Sequence, residues 1–263
     1  MSLLQVEGLA IHFGGLAAVD DLSFEVPPGR IYSIIGPNGA GKTTLFNMIS
    51  GVYHAGSGRI RFAGQDVTGL EPHRLARLGL SRTFQNLQIF FRLTALENVM
   101  VGRHLHEPKG ILAHALRLPS VRRANRDCAA KAHDLLKFVG LGPDAERIAG
   151  GLPYGALKRL EIARALASEP RLLLLDEPAA GCNPVETEAI DGLIQQIARQ
   201  GITVALVEHD MKLVMKISDR ILVLDRGRRL AEGSAAEVRA NPDVVRAYLG
   251  SHGTAAARAG DAR

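Results

Sequence analysis

The sequence predicts an α/β fold: a largely parallel sheet into which a helical subdomain is inserted. Three observations carry that expectation. Compact apolar runs at Ile31–Ile35, Leu172–Leu175 and Ile202–Val207 read as strands buried on both faces. Helical periodicity lies between them, as in Glu188–Arg199, where Ile190, Leu193, Ile194 and Ile197 share one face. From about Leu93 to Leu141 the chain is rich in Ala, Leu, Arg and His and shows no strand signal.

Taken in order, residues 3–35 read as short strands broken by turns, with Val19–Val26 a strand and Pro27-Pro28-Gly29 a turn. Lys42–Ser50 reads as a helix stopped by Gly51, and Gly56–Phe62 with Asp66–Thr68 as a hairpin. The helical insert is expected to break at Pro108-Lys109-Gly110. Gly150–Gly155 reads as a loop and Ala156–Ser168 as a helix. Arg220–Leu224 and Arg229–Ala231 form a second hairpin around Asp225-Arg226-Gly227, and Ser251–Arg263 is an expected frayed tail.

Composition narrows the function classes. The 263 residues are enough for a sizeable core without disulfide or metal staples. With 46% apolar and 22% charged residues, the chain is neither disordered nor fibrous. Its 32 Lys and Arg against 27 Asp and Glu leave a net charge of +5, spread along the chain. That balance permits an anionic ligand or a membrane surface and does not demand nucleic acid. Arg117, Arg122, Arg123 and Arg126 lack interleaved aromatics and are expected to face solvent or a membrane surface. Cys128 and Cys182 are too few for a disulfide framework, which suits a reducing compartment, and Cys182 reads as a small apolar contact. Met1–Phe13 carries Glu7 and no basic region, and no run of 18 apolar residues occurs, so any membrane role is expected to come through a partner. His104-x-His106 has no further ligands nearby and is not read as a metal site.

The chemistry-bearing segment is Gly36-Pro37-Asn38-Gly39-Ala40-Gly41-Lys42-Thr43-Thr44, a G-x-x-x-x-G-K-[ST] motif set between a strand and a helix. Glycines let successive backbone N–H groups converge on one anion, and the helix N-terminus adds its positive end. Lys42 is expected to reach the β- and γ-phosphates, and the Thr43 hydroxyl to ligate Mg²⁺. Leu172–Leu175 then delivers Asp176 and Glu177 to the carboxyl end of a strand, where ligands of parallel sheets bind. Asp176 is expected to hold Mg²⁺ through water, and Glu177 to orient and deprotonate the attacking water. Gln85, His209 and Leu152-Pro153-Tyr154-Gly155-Ala156 are bland when taken singly.

Their order resembles that of the nucleotide-binding subunits of ABC transporters over nearly the whole chain. The resemblance implies a P-loop NTPase (RecA-like) core with a small antiparallel β-subdomain and an inserted helical subdomain. Residues 1–250 form one ABC ATPase domain on this reading, with 1–87 and 159–250 as core and β-subdomain, 88–158 as helical signature subdomain, and 251–263 as flexible tail. It implies ATP and Mg²⁺ as cofactors. Phe13 matches the aromatic that stacks on adenine, a core phenylalanine being the alternative. Asn38, Gly39, Ala40, Gly41, Lys42, Thr43 and Thr44 match the ATP-binding loop. Gln85 matches the loop glutamine that contacts Mg²⁺ and water and couples ATP to the membrane partner, and His209 matches the histidine that touches the γ-phosphate. Ala179–Asn183 matches the loop that crosses between paired subunits. Leu-Pro-Tyr-Gly before Arg159–Leu166, Glu177–Gly181, Asn183-Pro184 and the ending Asn241–Gly250 resemble the branched-chain amino-acid uptake subgroup.

Two departures bear on mechanism. The family's Leu-Ser-Gly-Gly-Gln signature is here altered at Pro153, Tyr154 and Ala156. The family's serine hydroxyl binds the γ-phosphate held by the opposite subunit, and Pro153 has no donor to replace it. Gly155 and nearby backbone N–H groups at a helix N-terminus still favour an anion. Asn183 stands where many members have Asp; Asn183-Pro184-Val185-Glu186 also reads as an N-cap with Pro at N1 and Glu at N3. The implied partners are a second ABC ATPase subunit (a heterodimer in preference to a homodimer), two transmembrane permease subunits and, indirectly, a substrate-binding protein. The implied place is peripheral, at the cytoplasmic face of the inner membrane. The rival readings are a lipid or lipopolysaccharide export ATPase and a soluble ABC regulatory nucleotide-binding protein.

Overall fold

A computed structural model describes residues 2–106 and 119–248. β1 (Leu4–Phe13) and β2 (Leu16–Val26) form an antiparallel hairpin turned at Gly14-Gly15. β3 (Ile31–Ile35) is buried throughout and leads into α1 (Lys42–Ile49). β4 (Ser57–Phe62) and β5 (Gln65–Asp66) make the next hairpin. α2 (Pro72–Leu78), started by Pro72 at its first position, precedes β6 (Leu80–Arg82). The helical layer is α3 (Ala95–Gly102), α4 (Pro119–Phe138) and the start of α5 (Tyr154–Leu166). β7 (Leu172–Asp176), α6 (Pro184–Arg199), β8 (Thr203–Val207) and α7 (Met211–Ile217) alternate, and β9 (Arg220–Asp225), β10 (Arg228–Gly233) and α8 (Ala235–Ala240) follow. Residues 242–248 are helical.

The strands form two sheets, ordered β2-β1-β4-β5 and β10-β9-β3-β8-β7-β6. In the larger sheet β3 pairs in parallel with β8 and β9, and β7 pairs in parallel with β8 and β6. The loops that follow β3, β7 and β8 therefore leave from one carboxyl edge.

The apolar run of β7 has a packing cause. Leu172 and Leu174 join the core shared with the small sheet and α1, alongside Tyr32, Ile34 and Phe46. Leu173 and Leu175 join the core beneath α5 and α6, alongside Leu160, Ile190 and Ile194. Alternation in a strand between two cores makes every position apolar.

The helical layer is tied in locally. Thr94 and Glu97 form a reciprocal capping box on α3. Fully buried Asn98 accepts from Phe90 N–H at 2.9 Å and donates to the Phe90 carbonyl at 3.0 Å, pinning the stretch between Gln85 and α3.

Several expectations shift. α2, α7 and α8 have only six or seven residues and were not anticipated. α6 starts at Pro184, before the periodic segment from Glu188. α5 starts at Tyr154, so Gly155 is helical and not part of a loop. The expected boundary between 158 and 159 falls inside α5, which runs through it unbroken. Pro108–Gly110, Arg117, the side chains of His106 and Arg122, and the 251–263 tail lie outside the described residues. Among the described residues, no helix is long and apolar enough to cross a membrane.

Candidate nucleotide-binding and catalytic site

The glycine-rich segment joins β3 to α1. Gly41 caps α1 with φ 99°, and a Cβ there would lie 2.3 Å from the Ala18 carbonyl oxygen. Only glycine allows that conformation against β2. Ala40 is buried, Asn38, Gly39 and Thr43 are exposed, and Thr44 is half-buried. Lys42 opens α1, is itself buried, and donates from Nζ to the carbonyls of Gly36 (2.7 Å) and Pro37 (3.0 Å). Burial lowers its pKa, and the carboxylates of Glu177 and Asp176 act in the opposite direction. Residues far apart in sequence thus share one electrostatic site. Phe13 is half exposed at the end of β1, so it is not a core residue, and its ring meets Tyr53 edge-on at 5.6 Å.

The acids sit at the end of β7. Asp176 is 2% exposed, and its Oδ2 accepts from Arg82 Nη2 at 2.9 Å. Burial raises its pKa, and the Arg82 guanidinium opposes that rise. Glu177 has φ 50°, the left-handed region that glutamate rarely adopts. Its N–H donates to the Val207 carbonyl at 2.9 Å. Its Oε1 lies 2.5 Å from His209 Nε2, and its Oε2 accepts from Gln85 Nε2 at 3.4 Å. The loops after β6 and β8 therefore bring Gln85 and His209 each into contact with Glu177, one on each carboxylate oxygen.

The signature segment packs against the loop that follows Glu177. Pro153 is the N-cap of α5. The Tyr154 ring lies against Gly181, and the Lys158 ammonium sits 5.8 Å from the ring centre. A Cβ on Gly155 would come within 2.5 Å of the Glu186 side chain, so this position holds no larger residue without displacement. Ala156 is buried. Asn183 and Glu186 make the expected capping box on α6, each side chain accepting from the other's N–H at 3.0 Å. Cys182 packs on the core, and burial raises its thiol pKa.

Three buried charged residues at the site were not singled out from sequence. Arg82 donates to Asn47 Oδ1 (2.7 Å), Ser50 Oγ (2.8 Å) and Asp176, and its guanidinium lies 5.0 Å from the Phe84 ring centre. Lys158 donates to the Glu177 carbonyl at 3.4 Å. Glu208 accepts from the N–H groups of Ala179 and His209, each at 3.1 Å. Burial raises the Glu208 pKa, and those N–H groups hold it down. No local signal marks their burial: Arg82 lies between Ser81 and Thr83, and Glu208 is followed by His209 and Asp210.

Comparison with known proteins agrees with this architecture. A family model described as ABC transporter matches residues 19–180, and one described as branched-chain amino acid ATP-binding cassette transporter matches residues 228–254. The high-affinity branched-chain amino acid transport ATP-binding protein BraF of Pseudomonas aeruginosa is 47% identical over 94% of this chain and 98% of its own length. LivG of Escherichia coli K12, described in the same words, matches with the same identity and coverage. Among solved structures, a nucleotide-free ATP-binding cassette from an ABC transporter superposes with a TM-score of 0.82 at 33% identity, covering 94% of this chain and 99% of that one. The ADP conformation of an ATP-binding cassette of an ABC transporter also gives 0.82 at 33% identity, covering 95% and 99%. With its two sheets, its helical layer and its converging loops, the chain belongs to the ABC transporter family, in the group of branched-chain amino acid transport ATP-binding proteins.

Proposed function

We propose that this chain is the ATP-binding, ATP-hydrolysing subunit of an importer of branched-chain amino acids. The observation that carries the catalytic reading is the convergence of Gln85, Glu177 and His209 beside the Lys42 loop. The printed function of relatives at 47% identity supports the cargo class.

The loop 36–44 wraps the phosphates of ATP, and Lys42, its ammonium anchored on two loop carbonyls, binds the β- and γ-phosphates. Phe13 offers its half-exposed ring to the adenine. Thr43, Asp176 and Gln85 supply a hydroxyl, a carboxylate and an amide, the hard oxygen donors that suit Mg²⁺. Among the described residues no group of three or more His, Cys, Asp or Glu gathers into a metal cage. A shared site, completed by phosphate oxygens and water, fits that donor set. Bound Mg²⁺ would offset charge on the phosphates. Glu177 accepts the proton of the attacking water, and His209 holds the carboxylate in place through Oε1.

Pro153, Tyr154, Gly155 and Ala156 face the nucleotide of a second ATPase subunit, heterodimeric in preference to homodimeric. A groove of about 360 Å³ between core and helical layer, lined by Phe84, Phe90, Val101 and Leu105, receives a cytoplasmic loop of one of two permeases. Delivery of cargo by a substrate-binding protein and a peripheral place at the cytoplasmic membrane face follow from that assembly. The test is recovery of the tagged chain from its native membranes in mild detergent, with mass spectrometry of what accompanies it. Two polytopic permeases and a second ATPase are expected, and recovery with soluble proteins only would overturn the transporter assembly.

A further inference from the structure

Glu208 is a second buried acid at this site, and the hydrolytic chemistry does not call on it. It is 5% exposed, directly after β8. Its Oε1 accepts from the Ala179 N–H and its Oε2 from the His209 N–H, both at 3.1 Å. Ala179 lies two residues beyond Glu177, and His209 meets Glu177 Oε1 at 2.5 Å. These contacts close a ring from Glu177 through Pro178 and Ala179 to the Glu208 carboxylate, on to His209, and back to Glu177. The bond from Glu177 N–H to the Val207 carbonyl, at 2.9 Å, fixes the ring to the sheet.

A carboxylate is a costly group to bury, and an apolar side chain of similar size would avoid that cost. What an apolar side chain cannot do is accept from two backbone donors in two different loops with two oxygens of one rigid group. The ring also contains the left-handed Glu177, a conformation that persists only where its surroundings over-determine it.

We propose that Glu208 is a positioning residue for ATP hydrolysis, whose carboxylate ties the loop after β7 to the loop after β8 and so sets the distance between Glu177 and His209. This rests on the reading of Glu177 as the base and His209 as its partner. Glu208→Gln keeps the size of the side chain but turns one acceptor into a donor facing a backbone N–H. Glu208→Asp keeps both acceptors on a shorter arm.

The experiment measures ATP turnover, affinity for a fluorescent ATP analogue and the thermal midpoint of the full chain. Glu208→Gln is expected to lower kcat by about 10- to 100-fold, the range for a lost hydrogen bond to a charged group. Its ATP KM and analogue affinity should stay within about threefold of the parent, and Glu208→Asp should recover part of the loss. Because Glu208 acts through His209, adding Glu208→Gln to His209→Ala should cost less than about twofold more. A Glu208→Gln kcat within about twofold of the parent would overturn the proposal, as would an equal loss in both backgrounds. Parallel collapse of affinity, thermal midpoint and kcat in both Glu208 variants would reduce the residue to a fold element and also overturn it. Glu177→Gln is run alongside: normal turnover there would overturn the base assignment, whereas an inactive Glu177→Gln with a fully active Glu208→Gln would overturn the Glu208 proposal alone.

Discussion

His209 Nε2 lies 2.5 Å from Oε1 of Glu177, although the two residues belong to different loops and share no sequence motif. The contact fixes one oxygen of the proposed base and leaves the other within reach of Gln85. Replacing Glu177 with Gln keeps the shape and removes the proton acceptor. The variant is expected to bind ATP with near-parent affinity and to lose turnover by about 100-fold or more, read by steady-state phosphate release beside an ATP-analogue titration.

Lys42 is buried and held by the carbonyls of Gly36 and Pro37, which station its ammonium over the 36–44 loop. Lys42→Ala should abolish measurable ATP binding in an equilibrium titration. Lys42→Arg should fail as well, because the planar guanidinium does not fit a site shaped for a compact ammonium.

Arg82 and Asp176 form an ion pair with side-chain exposures of 6% and 2%. Removing one partner of a buried pair leaves an uncompensated charge. Arg82→Met should destabilise the fold by about 3–5 kcal/mol in urea denaturation. Adding Asp176→Asn to that variant should recover a measurable part of the loss, since the stranded carboxylate is then gone.

Asn183 separates two roles that the sequence left superimposed. As an N-cap it accepts from the Glu186 N–H at 3.0 Å. Asn183→Ala should cost about 1 kcal/mol of stability, whereas Asn183→Asp should cost almost nothing because aspartate caps equally well. Thermal melts of both variants decide the point; equal losses would mean that capping is not what holds this residue.

Gly155 meets Glu186 so closely that a methyl group would fall 2.5 Å from its side chain. Gly155→Ala should destabilise by about 1–3 kcal/mol through overpacking, measured by chemical denaturation. Glu186→Ala in the same chain should relieve the clash at the cost of the α6 cap.

Most of the site was readable because its chemistry demands particular residue types in short runs. Gly36–Thr44, Asp176 and Glu177 each follow an apolar strand, and the structure places them at one sheet edge. The Asn183 cap was readable for the same local reason. Arg82, Lys158 and Glu208 were not, because their partners come from distant parts of the chain and nothing adjacent to them signals burial. The short helices were missed on length. α7 has seven residues with its first turn capped by Asp210, too short a window for periodicity to register. α8 was missed although Ser234 and Glu237 spell a capping box, so its start was legible and its span was not.

The left-handed backbone of Glu177, with φ 50°, sets durability against activity at a single position. Glycine there would relax the turn, and the protein would then gain in robustness at the very residue where it lost its proposed base. A search for hardier variants of this chain that selects on heat tolerance alone would therefore be drawn toward inactive molecules at position 177. Turnover has to be screened together with melting for the same search to return a working motor.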